Sequence, residues 1–456
     1  MKKYTFLGSL FLLFNLAALA QTDSSYSLKR CIDYALLNQT SIRNAESDLG
    51  IAKAKVGEIR AIGLPQVNGA ASVIDNPNLR RLFFVANPSN PFTQNIPGVQ
   101  PGDVIASPNL FQLRSSGDAS ATISQLLFDG SYIVGLQAAG TYRQLAEKNI
   151  YASKIQTVES VTKAYYMVLI NQERIALLAT NVSRLDSMLK QTRAQYAAGF
   201  VEKIDADRLE VTYNNLYTDM QKFENLLGLS MVILHFQMGM PLDSAMVLTD
   251  KLADLNFDTT ETALPTKFDF SKRVDYAALE TQRKLQIYER KNVFAGYLPR
   301  LSAFATGGYT RQDKHVSNVF GNQWFNYSML GVNLSVPIFD GLSKHYKAQQ
   351  TKLNLVKTDN NLSALRNLIG LQIMQSNISL KNSLQTLASQ KRNLELAQEV
   401  LRVTKIKYQA GVGSNIEVVN AEASFKEAQT NYFAALFDAV VAKVDLQKAT
   451  GTLYTE

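Results

Sequence analysis

The sequence predicts a mainly α fold with a smaller β part, built from two copies of a unit that joins a strand hairpin to a long helical hairpin. Two repeated motifs carry this prediction. Phe-Asp-Gly occurs at residues 128–130 and again at 339–341, and a long proline-free tract follows each copy. Each tract contains a Tyr-x-Ala-Gly motif, at residues 196–199 and 408–411. Matching motifs in the same order indicate a duplicated architecture.

The N-terminus has the features of a secretory signal peptide. Two lysines precede a short apolar run, and Ala18 and Ala20 place small residues at the expected cleavage positions. Residues 1–20 are therefore predicted to be removed. The alternative is an uncleaved membrane anchor, which the short run disfavours. Cys31 lies too far from the cleavage point for lipid attachment, and a single cysteine excludes an internal disulfide.

Charge and motifs exclude several classes of function. The formal charge is +8, and about +6 without the signal peptide. Basic residues alternate with acids along the helical tracts, which is typical of solvated helix faces and not of nucleic-acid binding. The histidines His235, His315 and His345 are scattered, and Gly411 and Gly413 do not complete a dinucleotide-binding loop. The sequence therefore predicts a non-enzymatic protein with no cofactor and no metal.

The first repeat is predicted to span residues 21–265 and the second residues 266–456. The predicted elements, in chain order, are a helical segment at 28–62, a strand hairpin at about 66–128, a long helical hairpin at about 131–238, a helical segment at 272–295, a strand hairpin at about 300–339 and a long helical hairpin at about 342–450. The first strand hairpin carries an insert at about 76–108. This insert holds six of the eleven prolines and is predicted to be a loop.

The strands are predicted from a period of two. Apolar side chains alternate with other residues in the second repeat, at Leu330, Val332, Leu334, Val336 and Ile338. Such alternation is typical of strands with one face toward lipid and one toward a lumen. No later segment offers about eighteen consecutive apolar residues, so a membrane-spanning form would have to be a β-barrel.

The long tracts, 131–198 and 342–410, are too long for a compact domain. As single helices they would each reach about 100 Å, which indicates a coiled coil or a tubular assembly. In the second tract a packing seam follows a spacing of threes, fours and sevens, at Leu380, Leu384, Leu387, Leu394, Leu401 and Tyr408. The seam is interrupted by polar residues at Lys391, Gln398 and Lys405.

The Phe-Asp-Gly copies are predicted to mark the change from strand to helix. Asp129 and Asp340 can cap the helix N-termini, Gly130 and Gly341 can relieve the turns, and phenylalanine can lie at a membrane boundary, at Phe128 and Phe339. Each one taken alone could be an ordinary turn residue. The repetition between the same flanking elements favours a common role.

Four strands per chain cannot close a barrel, so several chains must share one. The order of Leu-Pro, strand hairpin, Phe-Asp-Gly, long helix and Tyr-x-Ala-Gly, present twice after a signal peptide, resembles the TolC-like outer-membrane efflux proteins of Gram-negative bacteria. The resemblance implies a homotrimer with a twelve-stranded barrel in outer-membrane lipid and an α-helical barrel across the periplasm. It also implies a periplasmic adaptor protein and an inner-membrane pump as partners.

The resemblance also implies roles for residues near the hairpin tips. By register, the acids of the channel constriction fall on Asp205 and Glu417, with Asn420 one helical turn further. The alternative is that both acids are ordinary helix-start residues favoured by the helix dipole. Tyr408 matches a position that holds the closed coils together. The glycines of the tip turns, which are the candidate adaptor contacts, are Gly199, Gly411 and Gly413.

Three further expectations depend on the same resemblance. Many relatives carry an acid where Asn420 stands, and the family's latch arginine would fall on Gly413, so this chain departs from the family at both positions. The linker at 243–269 is expected to run around the helical tube. The insert is expected to extend an extracellular loop, with Phe83, Phe84 and Phe92 over the barrel mouth.

The rival class of protein is a secreted coiled-coil scaffold or adhesion protein without a pore.

Overall fold

The computed structural model describes residues 25–455, except residues 88, 90, 92, 94, 95, 108, 110 and 253–267. The predicted signal peptide lies outside the described residues. The chain divides into two compact units. Unit 1 contains the chain up to Ala45, Ile150–Arg273 and Asn367–Glu456, and unit 2 contains Glu46–Asn149 and Val274–Arg366. Each unit therefore combines segments from both halves of the chain.

Helices make up most of the described chain. In order they are α1 (Leu28–Asn38), α2 (Thr40–Ala61), α3 (Gly130–Ala197), α4 (Lys203–Met238), α5 (Val274–Ala295), α6 (Val316–Val319), α7 (Ser343–Gln409) and α8 (Asn415–Ala449). The two long helices predicted from the proline-free tracts are α3, with 68 residues, and α7, with 67 residues. A helix long and apolar enough to cross a bilayer is not found in the described part of the chain.

The strands form one larger sheet and two small pairs. In order they are β1 (Ser25–Tyr26), β2 (Gln66–Asp75), β3 (Leu82–Val85), β4 (Val104–Ser107), β5 (Ser115–Phe128), β6 (Val247–Leu248), β7 (Arg300–Asp313) and β8 (Phe325–Ser335). The four predicted strands lie in unit 2 as an antiparallel sheet with the order β2-β5-β7-β8. The short β1 and β6 pair in parallel in unit 1.

The two faces of this sheet differ in polarity. Residues in register share a face, so Ile123, which pairs with both Val67 and Ala305, lies on the same face as Leu330. This apolar face is exposed, and Leu330 is 83% accessible. On the opposite face the hydroxyls of Thr122 and Thr306 lie 2.9 Å apart. We use the term apolar face for the side that carries Ile123 and Leu330.

One strand prediction was wrong at its end. The predicted alternation continues to Ile338, but β8 ends at Ser335, which pairs with Arg300 at the start of β7. Pro337 has no N–H to continue a ladder. Val336 and Ile338 therefore lie outside the strand, and both are exposed.

The proline-rich insert contains more structure than the sequence indicates. It was predicted as a loop, but β3 and β4 pair within it, with Phe83 opposite Ala106. Both strands lie in stretches without proline, so their ladder keeps every N–H donor. Phe83 is exposed, whereas Phe92 lies outside the described residues.

The predicted linker at 243–269 contains β6 near its start. Its Asp-Thr-rich run at 256–265 lies outside the described residues.

The predicted seam of α7 packs against α8 in unit 1. Leu380 lies in one hydrophobic cluster with Leu446, and Leu401 lies in another with Phe425. Leu380 and Leu401 are only 2% and 1% exposed. The apolar spacing therefore predicted the helix face that is buried.

Elsewhere in unit 1, Cys31 lies in a core cluster, where burial raises the pKa of its thiol to about 12.

Candidate functional site at the hairpin tips

The two helical hairpins turn at glycines in the left-handed conformation. Gly199, between α3 and α4, has φ of 80°, and Gly411, between α7 and α8, has φ of 75°. In each turn the amide after the glycine donates to a carbonyl five residues back, at 2.9 Å in the first turn and 3.0 Å in the second. Glycine adopts this conformation without the steric penalty of a Cβ atom. The repeated Tyr-x-Ala-Gly motif therefore ends both long helices in the same way.

Gly413 lies close against the end of α7. A Cβ atom added to it would lie 3.0 Å from the backbone nitrogen of Tyr408 and 3.0 Å from Cβ of Lys407. The amide of Gly413 also donates to the carbonyl of Lys407 at 3.1 Å. A side chain at this position, such as the arginine that the resemblance implies, would force the turn to shift.

Both candidate constriction acids lie in the first turn of a helix. Asp205 is in the first turn of α4, and Glu417 is in the first turn of α8. The N-cap side chains of both helices make no capping hydrogen bond. The positive end of each helix dipole stabilises the negative charge of the nearby acid. This is the effect invoked by the alternative interpretation, in which both acids are ordinary helix-start residues.

The acids differ in exposure. The Asp205 side chain is 25% exposed, and its Oδ1 lies 4.0 Å from Nη1 of Arg208. Glu417 and Asn420 are both exposed, and their spacing of three residues places them on one helix face. The side chains of Glu417 and Asn420 are thus available to a solvent-filled space.

Asn415 connects the starts of the two helices. Its Nδ2 donates a hydrogen bond to the carbonyl oxygen of Asp205 at 2.7 Å. Asn415 is only 4% exposed, and its Oδ1 is buried without a hydrogen-bond partner among the described residues. The role of Asn415 is not predicted from the sequence, because an asparagine at a helix start is too common to indicate a long-range contact.

Tyr408 is half-buried at the end of α7. Its hydroxyl is buried and finds no hydrogen-bond partner in the described part of the chain. The role in the closed coils that the resemblance implies stays a prediction.

A buried polar network lies further from the tips in unit 1. Lys405 of α7 forms an ion pair with Glu422 of α8, and their side chains are 15% and 5% exposed. Nε of Arg184, on α3, lies 3.9 Å from the Glu422 carboxylate. Burial lowers the pKa of Lys405, and the nearby Glu422 carboxylate opposes this effect.

The same network continues along α3 and α8. Arg184 also donates to the Asn181 side chain, and Asn181 donates from Nδ2 to Oε1 of Gln429 at 3.0 Å. Asn181 and Gln429 are both buried. Lys405 had interrupted the predicted apolar seam, and the network explains why a lysine is accommodated there.

The strand-to-helix turns are capped by their aspartates. Oδ1 of Asp129 accepts hydrogen bonds from the backbone amides of Ser131 and Tyr132, at 2.8 and 3.2 Å. Oδ2 of Asp340 accepts one from the amide of Lys344 at 3.0 Å. The capping role predicted for both aspartates is therefore present.

The glycines and phenylalanines of these turns differ between the copies. Gly341 has φ of 65°, whereas Gly130 is not among the residues with positive φ and starts α3 directly. A Cβ atom on Gly130 would lie 2.7 Å from Cδ1 of Leu298. Phe128 and Phe339 are 40% and 79% exposed.

Solved outer-membrane channels share this fold. The open-state outer membrane channel MtrE of Neisseria gonorrhoeae is similar with a TM-score of 0.69, over 93% of this chain and 88% of that chain, at 16% sequence identity. The chain therefore shares the fold of this solved structure.

The chain belongs to the outer membrane efflux protein family, whose model matches residues 31–216 and 272–452. It is 23% identical to the outer membrane protein TolC of Vibrio cholerae over 342 residues, which cover 74% of this chain and 76% of that protein. It is 24% identical to the pyoverdine export outer membrane protein OpmQ of Pseudomonas aeruginosa over 428 residues, covering 91% and 84%. The resemblance stated from the motifs is confirmed, and the protein is an outer-membrane transport protein and not an enzyme.

Proposed function

We propose that this chain forms the outer-membrane exit channel of a tripartite efflux or type I secretion system. It would export small molecules or polypeptides from the periplasm to the outside. Its partners would be two further copies of itself, a periplasmic adaptor protein, an inner-membrane pump and outer-membrane lipid. Membership of the outer membrane efflux protein family supports this assignment.

The observation that carries the proposal is the open sheet. In the described chain its edge strands, β2 and β8, each pair along one side only. One face of the sheet is apolar and exposed, with Val67 68% and Leu330 83% accessible. Unpaired strand edges are not tolerated in lipid, so other copies must complete the ladder. Three copies would give a barrel of twelve strands.

The helical hairpins would form the periplasmic part of the channel. We propose that the chain consists of two structural repeats, residues 21–265 and 266–456, whose tips lie at the inner end of this part. Support comes from the matching turns at Gly199 and Gly411 and from the acid in the first turn after each. The tip turns, including Gly413, would be the adaptor contacts.

Opening would separate the two tips. In this structure the hydrogen bond from Asn415 to the Asp205 carbonyl joins the starts of α4 and α8, and we assign this arrangement to the closed channel. Docking of the adaptor would open these contacts, as an iris opens, and Tyr408 would help to hold the closed state.

Asp205 and Glu417, with Asn420 one turn further, would form the constriction. Three copies of the two acids would attract cations to a narrow pore. The variant Asp205→Asn with Glu417→Gln is therefore expected to lower the permeability ratio of potassium to chloride in planar bilayers. The matched control neutralises Asp207 and Glu202, which are exposed acids near the same tip. Unchanged selectivity in the double variant would favour the alternative, in which both acids only stabilise helix starts.

The assembly itself is tested by native mass. Protein extracted from an outer-membrane fraction is expected to require detergent and to have the mass of three chains. A water-soluble monomer or dimer would contradict the channel and would favour the alternative, a secreted coiled-coil scaffold without a pore.

A further inference from the structure

The segment between β7 and β8, residues 314–324, folds back onto the sheet in unit 2. It contains α6, and its Val319 is completely buried. A Cβ atom added to Gly117 of β5 would lie 2.5 Å from Cγ1 of Val319 and 2.8 Å from Cη2 of Trp324. The segment therefore lies directly over Gly117, where a larger residue would displace it.

The segment lies on the apolar face. A Cβ on Gly117 would point to the same side as Ile123, because the two are an even number of residues apart on one strand. Arg311 is in register with Gly117 and shares that side. Its Nη1 donates to the carbonyl oxygen of Gln323, in the same segment, at 3.2 Å. Two independent contacts thus place the segment over the apolar face, at the end of β5 opposite Phe128.

Polar contacts join the base of the segment to the end of β7. Nη2 of Arg311 lies 3.6 Å from Oδ2 of Asp313. Oδ1 of Asp313 accepts from Nδ2 of Asn318 at 3.0 Å and from the amide of His315 at 3.3 Å. This bonding fixes the segment against the sheet without using its aromatic side chains.

The aromatic side chains of the segment are at least partly exposed. Phe320 is 73% exposed, and Trp324 is partly exposed beside the apolar face. Lys314 and His315 are also exposed. Aromatic side chains next to a lysine, at the end of an apolar band, are characteristic of the boundary between the acyl chains and headgroups of a bilayer.

We propose that residues 314–324 form an interfacial anchor that seats Phe320 and Trp324 in lipid at the outer boundary of the membrane. The occupant is lipid, because the segment continues the same face that carries Ile123 and Leu330. This inference rests on the proposed function, since it requires the apolar face to contact lipid.

The test uses the fluorescence of Trp324, which is the only tryptophan in the chain. The intact assembly is placed in vesicles that contain lipids brominated at defined acyl depths, and iodide is added as an aqueous quencher. Bromine near the headgroup is expected to quench Trp324 at least about twofold more than bromine at the bilayer centre, as for an interfacial aromatic side chain. Iodide is expected to quench it weakly.

Two further reporters separate the possible failures. In a Trp324→Phe background, Leu330→Trp places the reporter on the open apolar face, and Phe320→Trp places it on the exposed side of the anchor. Quenching of all three reporters by brominated lipid would support the anchor. If only the reporter at 330 is quenched, the anchor is overturned and the lipid-facing sheet remains.

The other outcomes are also decisive. If no reporter is quenched by brominated lipid, the proposed function fails together with the anchor. If Trp324 is shielded from both iodide and brominated lipid while the reporter at 330 is quenched, the segment contacts another copy of the chain, which also overturns the anchor.

Discussion

Nδ2 of Asn415 donates a hydrogen bond to the carbonyl oxygen of Asp205 at 2.7 Å. The two residues lie at the starts of α8 and α4, so this contact joins the tip regions of helical hairpins from different halves of the chain. Asn415 is buried. Water therefore cannot easily replace the bond while the two helix starts stay together.

Asn415→Ala is expected to raise the open probability of the reconstituted channel. Loss of one buried hydrogen bond weakens the contact by about 1 kcal/mol, which corresponds to about a fivefold shift of an equilibrium. Single-channel recording in planar bilayers measures this shift. The control is Asn393→Ala, which removes an exposed asparagine of α7 away from the tips. Equal open probabilities in the two variants would argue against a role for the Asn415 bond in closure.

Lys405→Met is expected to destabilise the helical part of the protein. The change leaves the buried Glu422 carboxylate without its nearest cation, and breaking such a pair costs about 3 kcal/mol. The double variant Lys405→Met with Glu422→Gln removes both charges and is expected to recover much of this loss. Thermal unfolding in detergent, followed by circular dichroism, compares the midpoints. A double variant less stable than Lys405→Met would show that the pair is not coupled in this way.

Glu159 is expected to make unit 1 sensitive to acid. Burial raises the pKa of Glu159, but hydrogen bonds from Lys163 and Lys448, at 2.7 and 2.6 Å, outweigh burial and lower it below its usual value. A carboxylate with a lowered folded-state pKa stabilises the protein above its unfolded-state pKa, and this stability is lost as the pH falls through the folded-state pKa. The loss therefore begins near pH 4.5 and continues below it.

The measurement for Glu159 is helical content as a function of pH in the wild type and in Glu159→Gln. The variant is expected to be less stable at neutral pH and to lose less further stability below about pH 4.5. Glu58→Gln serves as the control, because Glu58 pairs with Lys55 on an exposed helix surface. Parallel acid transitions in the wild type and Glu159→Gln would refute the assignment.

Asp129→Ala is expected to loosen the first turn of α3. The change removes the acceptor for the amides of Ser131 and Tyr132, which weakens the helix start by about 1 kcal/mol. Hydrogen exchange of these amides should accelerate, while Asp129→Asn should keep most of the protection, because asparagine caps equally well. Equal exchange in the alanine and asparagine variants would show that the cap does not hold this turn.

Much of the fold follows from local patterns in the sequence. The long tract predicted at 342–410 is α7, Ser343–Gln409, because a proline-free run of good helix formers between an Asp-Gly turn and a left-handed glycine leaves few alternatives. The period of two predicted β8, and Asp129 was recognised as a cap from its position alone. The strand end at Ser335 was missed because the apolar alternation continues past the point where Pro337 stops the ladder.

The candidate site was predicted less completely. The turns at Gly199 and Gly411 follow from the motif, whereas the bond from Asn415 to Asp205 joins residues far apart in sequence and leaves no local signal. The roles of Asp205, Glu417 and Asn420 as a constriction remain predictions, because they depend on the assembly of several chains.

The sequence by itself determined the duplicated order of strands and long helices and the glycines at which the helices turn. These features depend on residues within a few positions of one another, so periodicity, proline and glycine are enough to specify them. Only the tertiary structure decided that Lys405 pairs with Glu422, that β3 and β4 pair within the insert, and that Trp324 lies over Gly117. These contacts depend on the alignment of segments distant in the chain, which is decided by packing and by the need to satisfy buried polar groups, and no local pattern encodes it.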